Sequence, residues 1–467
     1  MLALAGLLLV SRLLSSPSEP PPLSSSKPQP LTSLLRLHGG SRAPVREHSS
    51  ALHLSTVGTE PFEGQKPGTS GLRKKTKLVQ QPNYLENFVQ ALFDSLPPDE
   101  LAGATLVVSG DGRYHNAAAI QTICKIAAGN GVARVWVGVD GLLSTPAASA
   151  VIREREGGVA LGGIILTASH NPGGPEGDFG IKYNVQNGGP ALESLTGAIY
   201  ERTTAISEYK LCDDLPEIDL SQQARHLFKL GDSFFEVEVI ESTEDYVALI
   251  REVFDFPKIA AFLERPDMTL VYDGMCGVAG PYAHAVLARE LGVSIAQSTR
   301  YRYLQHRLTP PGNPAPLKVD PSSLINCEPS EDFGGGHPDP NLTYAAVLVA
   351  LMGLTQKGQP TAEAASAPVF GAAADGDADR NMILGRGESA LHPRIQLGAS
   401  ALTIHPMGPG FFVTPSDSLA IIVAHAHIIP WFKREGETTS TSCTRAPPHA
   451  LRSLRRWAAG CRTFDAH

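Results

Sequence analysis

In "DGDADR", Asp375, Asp377 and Asp379 alternate with the small residues Gly376 and Ala378. In an extended loop, carboxylates at that spacing project to one side and converge on one hard cation, while the small residues let the backbone curve. An oxygen-lined site of the magnesium type suits them. An EF-hand calcium loop is excluded, because its sixth and twelfth positions want Gly and Glu where this chain has Arg380 and Arg386. For three carboxylates alone, a solvated acidic turn is the plainer alternative. Arg380 adds a guanidinium beside them, which is either a salt-bridge partner or the donor best shaped to grip a phosphate.

A metal beside an anion grip calls for a group to transfer, and "LGGIILTASHNPGGPEGDFGIKYNVQNGGPA", starting at Leu161, offers Ser169. Serine next to His170 suggests hydrolysis, yet chain neighbours do not normally face each other, no GxSxG elbow surrounds the serine, and no acid is placed to orient the imidazole. A phosphoryl group on Ser169 would bring roughly two negative charges and three acceptor oxygens, completing a metal's oxygen shell beside the aspartates. Phosphoryl transfer needs mainly alignment and charge neutralisation, which this set provides. Lys182 and His170 are then candidates for proton handling or charge stabilisation; singly, each also reads as an ordinary surface cation or a hydrogen-bonded structural residue.

Such groups must be held at strand ends. "ATLVVSGDGR" is an apolar run closing in Gly and Asp; "AAAIQTICKIAAGNG" places Ile120, Ile123, Ile126 and Ala127 on one helical face; "ARVWVGVDG" is again a strand. "GGIILTAS" supplies a further strand, so the expected architecture is a layered α/β fold, whose ligands gather beyond the C-terminal strand ends. The second half repeats this pattern: "MTLVYDGMCGVAGPYAHAVLAREL" reads strand, turn, helix, and "APVFGAAADGDADRNMIL" reads strand, acidic loop, strand.

With 467 residues, 42% hydrophobic and 18% charged, the chain has length for several cores. A net charge of −8 without a dense basic tract excludes nonspecific attraction to nucleic acid or anionic lipid. Cys124, Cys212, Cys276, Cys327, Cys443 and Cys461 show no CxxC spacing, so reduced thiols are expected rather than a zinc site. Leu2 to Val10 is an apolar run of signal-peptide length, and the Ser-, Pro- and Arg-rich stretch after it has a transit-peptide composition. Residues 1–61 are accordingly expected to be a targeting or disordered segment, with a plastid as destination and mitochondrion or cytosol as alternatives.

The serine stretch "TASHNPGGPEGDFGIKYNVQNGGPA" resembles the active-site loop of the α-D-phosphohexomutases, in particular those of the glucose type. "GQKPGTSGLRKK" at Gly64 resembles that family's substrate-phosphate segment, "EDFGGGHPDPNLTYA" at Glu331 its inter-motif stretch, and "DGDADRNMILG" its magnesium loop. "GFFVTPSDSLAIIVAHAHIIPWF" at Gly410 also follows the pattern. The resemblance implies consecutive α/β domains with mixed sheets and helices on both faces. It also implies interconversion of glucose 1-phosphate and glucose 6-phosphate through a phosphoserine and glucose 1,6-bisphosphate, an isomerase that works by phosphotransfer. Carried over by position, Ser169 is phosphoryl carrier and metal ligand, and Asp375, Asp377 and Asp379 are magnesium ligands. His170 and Lys182 assist catalysis, while Thr69, Ser70, Arg73, Ser169 and Arg380 bind substrate.

The implied organisation is domain I at 62–242, domain II at 243–435, and an unrelated tail at 436–467. The family's third and fourth domains, with their sugar- and phosphate-recognising loops, are not expected in this chain. Stretches near Ser298–Ser323 and Glu388–Pro409 interrupt the resemblance; retained introns and a late frame shift would explain them, and complementary DNA encoding the same stretches would refute that. Slow serine phosphorylation with little turnover is the expected behaviour. A catalytically silent mutase-fold binding protein and a mannose- or glucosamine-phosphate mutase are the alternatives. No residue pattern specifies an oligomer, and a monomer is expected, with a hexose phosphate as partner and no stable membrane association.

Overall fold

The computed structural model describes residues 43–68, 70–266, 268–292 and 323–386, together with 395–397, 400–402, 405–407, 410–415, 418, 422 and 429–431. Two mixed sheets dominate. The first has eight strands: β1 (Val45–Leu52), β3 (Leu72–Lys75), β4 (Thr105–Gly110), β5 (Arg134–Gly138), β6 (Ala160–Leu166), β7 (Asp178–Val185), β9 (Ala224–Leu230) and β10 (Ser233–Ile240), in the order β1-β9-β10-β5-β4-β6-β7-β3. Strands β10, β5, β4 and β6 run parallel, whereas β7 returns antiparallel to β6 and β3 antiparallel to β7. Strands β2 (Ser55–Gly58) and β8 (Glu208–Leu211) form a separate antiparallel pair.

The central strands show why both faces carry helices. Along β4, Leu106 and Val108 enter one apolar core and Val107 the other; along β5, Val135 and Val137 take the first face and Trp136 the second. This is the two-residue side-chain period of a strand buried on both sides. Helices Tyr84–Asp94 and Asn116–Gly129 cover the first face, and Ile120, Ile123, Ile126 and Ala127 are buried there as their spacing predicts. Helices Thr145–Glu154 and Glu244–Val253 cover the second.

The second sheet has β11 (Leu270–Asp273), β12 (Leu324–Ile325), β13 (Phe370–Ala374), β14 (Asn381–Arg386), β17 (His405–Met407) and β18 (Gly410–Val413), ordered β12-β11-β13-β14-β18-β17. Phe370, Ala372 and Ile383 from one of its faces join the core that holds Val107, Trp136 and Ile165, so the two sheets share apolar packing.

Residues 45–58, whose composition predicts a targeting or disordered segment, instead form two strands. β1 lies parallel along β9, and the His48 ring stacks on Phe228 at 4.3 Å. A ladder that satisfies an otherwise open edge depends on main-chain pairing, which a Ser- and Arg-rich composition does not reveal. Within 388–409, β15 (Ile395–Leu397) pairs with β16 (Ser400–Leu402), and β17 joins the second sheet beside β18. Residues 1–42, 293–322 and 432–467 lie outside the described residues, and with them most of the first atypical stretch and the whole tail.

Candidate active site

Ser169 stands three residues past β6 with a left-handed backbone, φ 56°. The Thr167 hydroxyl accepts the Ser169 amide at 2.8 Å and donates to Asp111 Oδ2 at 2.5 Å, which holds the turn. Arg113, fully buried, pairs with Asp111 through Nη2 at 2.8 Å and donates from the same nitrogen to the Ser169 carbonyl at 2.9 Å. Its Nη1 reaches the Asp178 carbonyl at 2.6 Å, and its guanidinium lies 5.1 Å from the centre of the Phe333 ring. A buried ion pair with its donors used on fixed acceptors holds the serine loop rigidly.

The acidic loop joins the antiparallel strands β13 and β14. It is a tight turn rather than the extended loop expected from alternation: the Ala378 amide returns to the Asp375 carbonyl at 3.0 Å, and Ala378 adopts φ 62°. The carboxylates still converge, because the turn folds their stems together; one oxygen from each of Asp375, Asp377 and Asp379 lies within 4.8 Å of the others. A Cβ at Gly376 would meet the Ser169 carbonyl at 2.7 Å, so glycine permits the two loops to touch.

The loops meet in the chemistry as well. Ser169 Oγ donates to Asp375 Oδ2 at 2.7 Å, and Lys182 on β7 places Nζ 2.7 Å from Asp377 Oδ2 and 3.6 Å from Asp379 Oδ2. His170 Nδ1 lies 3.4 Å from Ser169 Oγ. That approach departs from the rule that chain neighbours face apart, and the left-handed serine is the reason, since it reverses the chain between the two side chains. Arg380 contributes its amide to Asp375 Oδ1 at 2.9 Å. Arg73 sits in β3 opposite Gly180, near enough to feel Asp377, Arg380 and Arg113. Ser70 is exposed and lines a cavity of about 240 Å³ with Thr145, Lys182 and Asp379. Thr69 lies outside the described residues.

Charge in this cluster is unevenly held. Burial pushes Asp375 well above the carboxylate range, and Asp377 and Asp379 reinforce the shift. Burial also opposes ionisation of Asp377, yet the Lys182 ammonium overrides it and holds the carboxyl below its usual value. Asp379 is raised by burial and then by Asp377. Burial acts against the Lys182 charge, but Asp377 and Asp379 outweigh it and raise the pKa. Burial, with Arg380 next, lowers His170 and favours its neutral ring. The buried Asp377 Oδ1 has no hydrogen-bond partner. That open oxygen, with one oxygen each from Asp375 and Asp379 converging on the same point, fits a divalent cation.

Several residues that hold the site carry no mark of that role in the sequence. Asp111 and Arg113 were visible only as the "GDGR" end of an apolar run, a strand-terminal position where α/β folds place function. Glu331 accepts the Tyr114 and Gly174 amides through its carbonyl at 2.8 and 3.0 Å, and the Pro338 carbonyl accepts the Gly376 amide at 3.1 Å. The stretch at 331–338 therefore ties the serine loop to the acidic loop. Thr145, which donates to Asp377 Oδ2 at 2.7 Å, had no distinguishing signal in sequence.

Residues 64–210 match the family described as "Phosphoglucomutase/phosphomannomutase, alpha/beta/alpha domain I". The chain is similar to "Probable phosphoglucomutase, cytoplasmic 2" of Arabidopsis thaliana, 53% identical over 81% of this chain and 57% of that protein. It is likewise similar to "Phosphoglucomutase, cytoplasmic" of Solanum tuberosum, 51% identical over the same shares. A crystal structure of Paramecium parafusin, titled as an exocytosis-sensitive phosphoprotein and phosphoglucomutase in open form, aligns with TM-score 0.66 and 45% identity over 81% of this chain and 59% of that one. The chain thus spans a little under three fifths of the length of these relatives. Their cytoplasmic names overturn the plastid expectation, which rested on the apolar run Leu2–Val10 and on a Ser-, Pro- and Arg-rich composition after it that solvated segments of many kinds share. By these matches the chain is similar to phosphoglucomutases, with residues 64–210 corresponding to the domain I described for phosphoglucomutases and phosphomannomutases.

Proposed function

We propose that this chain carries the phosphoryl-donor half of a phosphoglucomutase, interconverting glucose 1-phosphate and glucose 6-phosphate through phospho-Ser169 and glucose 1,6-bisphosphate. One observation carries the reading: Ser169 Oγ lies 2.7 Å from Asp375, a member of the carboxylate cluster, although 206 residues separate them. Asp375, Asp377 and Asp379, with an oxygen on Ser169, would hold magnesium, which would neutralise charge on the phosphoryl group when bound. The serine-bearing half corresponds to about 45–242, since β1 belongs to its sheet, and the acid-bearing half to 243–435.

In the transfer, the Ser169 O–P bond breaks and a bond forms from the sugar hydroxyl oxygen to phosphorus. The hydroxyl proton passes to the neutral His170 ring, 3.4 Å from Oγ. The leaving serine oxygen takes the proton from His170, restoring the hydroxyl that donates to Asp375, while Lys182 stays charged against Asp377. Arg73, Arg380 and Ser70 are assigned to the substrate's phosphate, with Thr69 beside them by likeness to the family. The names of the curated relatives favour glucose phosphates over mannose or glucosamine phosphates and an enzyme over a silent binding protein, and the cytoplasm as compartment.

Incubation of the chain with glucose 1,6-bisphosphate and magnesium, followed by peptide mass analysis, tests the proposal. Phosphate on Ser169, absent in Asp377→Ala, is the expected result. An unmodified serine in the presence of both would overturn it.

A further inference from the structure

The residues that hold Asp377 come from the opposite sheet. Thr145 opens the helix Thr145–Glu154, which packs on the first sheet, and it grips Asp377 twice: the hydroxyl donates to Oδ2 at 2.7 Å, and the amide donates to the main-chain carbonyl at 2.9 Å. Lys182 Nζ approaches the same Oδ2 at 2.7 Å. Oδ2 is therefore committed to two donors, while Oδ1 is buried with none. A carboxylate with one oxygen doubly bound and the other bare has its rotation about the last side-chain bond fixed. The bare oxygen is the one left for a cation.

We propose that Thr145 is a positioning residue that fixes the Asp377 carboxylate so that Oδ1 faces the metal, making cation affinity depend on docking of the Thr145–Glu154 helix against the acidic loop. The inference rests on the metal reading of that loop. Hydrogen bonds to a ligating carboxylate from outside the coordination sphere typically change metal affinity by about 10- to 100-fold when lost. Because Lys182 remains on Oδ2, the loss on removing the Thr145 hydroxyl belongs at the lower end, about tenfold. The Thr145 amide is unaffected by side-chain substitution, so the loop should stay docked.

The test is a Mn2+ titration followed by electron paramagnetic resonance on the full chain and on Thr145→Val, Thr145→Ser and Asp377→Asn, with metal-free melting temperature measured in parallel. Expected are Mn2+ binding about tenfold weaker in Thr145→Val, within about twofold of the unaltered chain in Thr145→Ser, and a metal-free melting temperature unchanged in both. Unaltered Mn2+ affinity in Thr145→Val would overturn the positioning role while leaving the metal loop intact. Weakening that tracks a lowered metal-free melting temperature in both variants would also overturn it, in favour of a purely structural contact. If the unaltered chain binds no Mn2+ and Asp377→Asn behaves identically, the metal reading fails and this inference with it.

Discussion

Arg113 and Asp273 show how single buried charges govern this molecule. Arg113 is buried against Asp111 and supports the Ser169 carbonyl, so removing it leaves Asp111 charged and unpaired. Arg113→Met is expected to destabilise the chain by about 3–5 kcal/mol in urea unfolding. The double change with Asp111→Asn should recover part of that loss, since the stranded charge is gone. Asp273, at the end of β11, accepts the Met275 amide and Asn326 Nδ2 on one oxygen, both at 2.9 Å, and burial pushes its carboxyl up to about 6. The folded state then holds this proton more tightly than the unfolded chain does. Its contribution is fully present below pH ~4 and is lost as pH rises through about 6. Asp273→Asn keeps an accepting oxygen for both donors, so between pH 4 and 7 the unaltered protein should lose up to about 3 kcal/mol relative to the variant. Parallel urea curves across that range decide the matter; a constant difference would show that Asp273 does not titrate as described.

Among elements, contact between the serine and acidic loops depends on the space at Gly376. A methyl there would meet the Ser169 carbonyl at 2.7 Å on the serine loop, and Pro338 Cγ at 3.1 Å and Phe333 Cζ at 3.2 Å on the 331–338 stretch. None of these is the free end of a flexible side chain. Gly376→Ala should therefore separate the loops, costing about 1–3 kcal/mol in stability and suppressing Ser169 phosphorylation by far more than the stability loss explains. Thermal melts beside a phosphorylation time course measure both, and normal phosphorylation in the variant would refute the close-contact argument. The strand-turn-strand pattern on either side was readable from apolar runs and Gly-Asp punctuation. The tie at 331–338 was not, because it acts through main-chain carbonyls whose side chains bear no mark of it.

For the whole molecule, the shared core sets cooperativity. Phe370 on the second sheet belongs to the same apolar cluster as Trp136 and Ile165 on the first. Phe370→Ala should cost about 3–5 kcal/mol. Because the cluster spans both sheets, calorimetry should show one transition that moves as a unit. Two separated transitions, with only the later one shifted, would show that the sheets unfold independently despite their packing.

The amino-acid sequence by itself determined the local alphabet of the fold: apolar runs at strand period, a helical face at Ile120, Ile123 and Ile126, and punctuated loops carrying Ser169 and the three aspartates. These follow from side-chain type and spacing, which act over a few residues. It also exposed the family likeness through those same loops. Tertiary structure alone decided that β1 closes an edge of the first sheet, that Arg113 anchors the serine, and that Asp377 of one sheet is held by Thr145 and Lys182 of the other. Each of these depends on main-chain ladders or on pairs separated by more than fifty residues in the chain, where no local spacing records which groups will share a buried site.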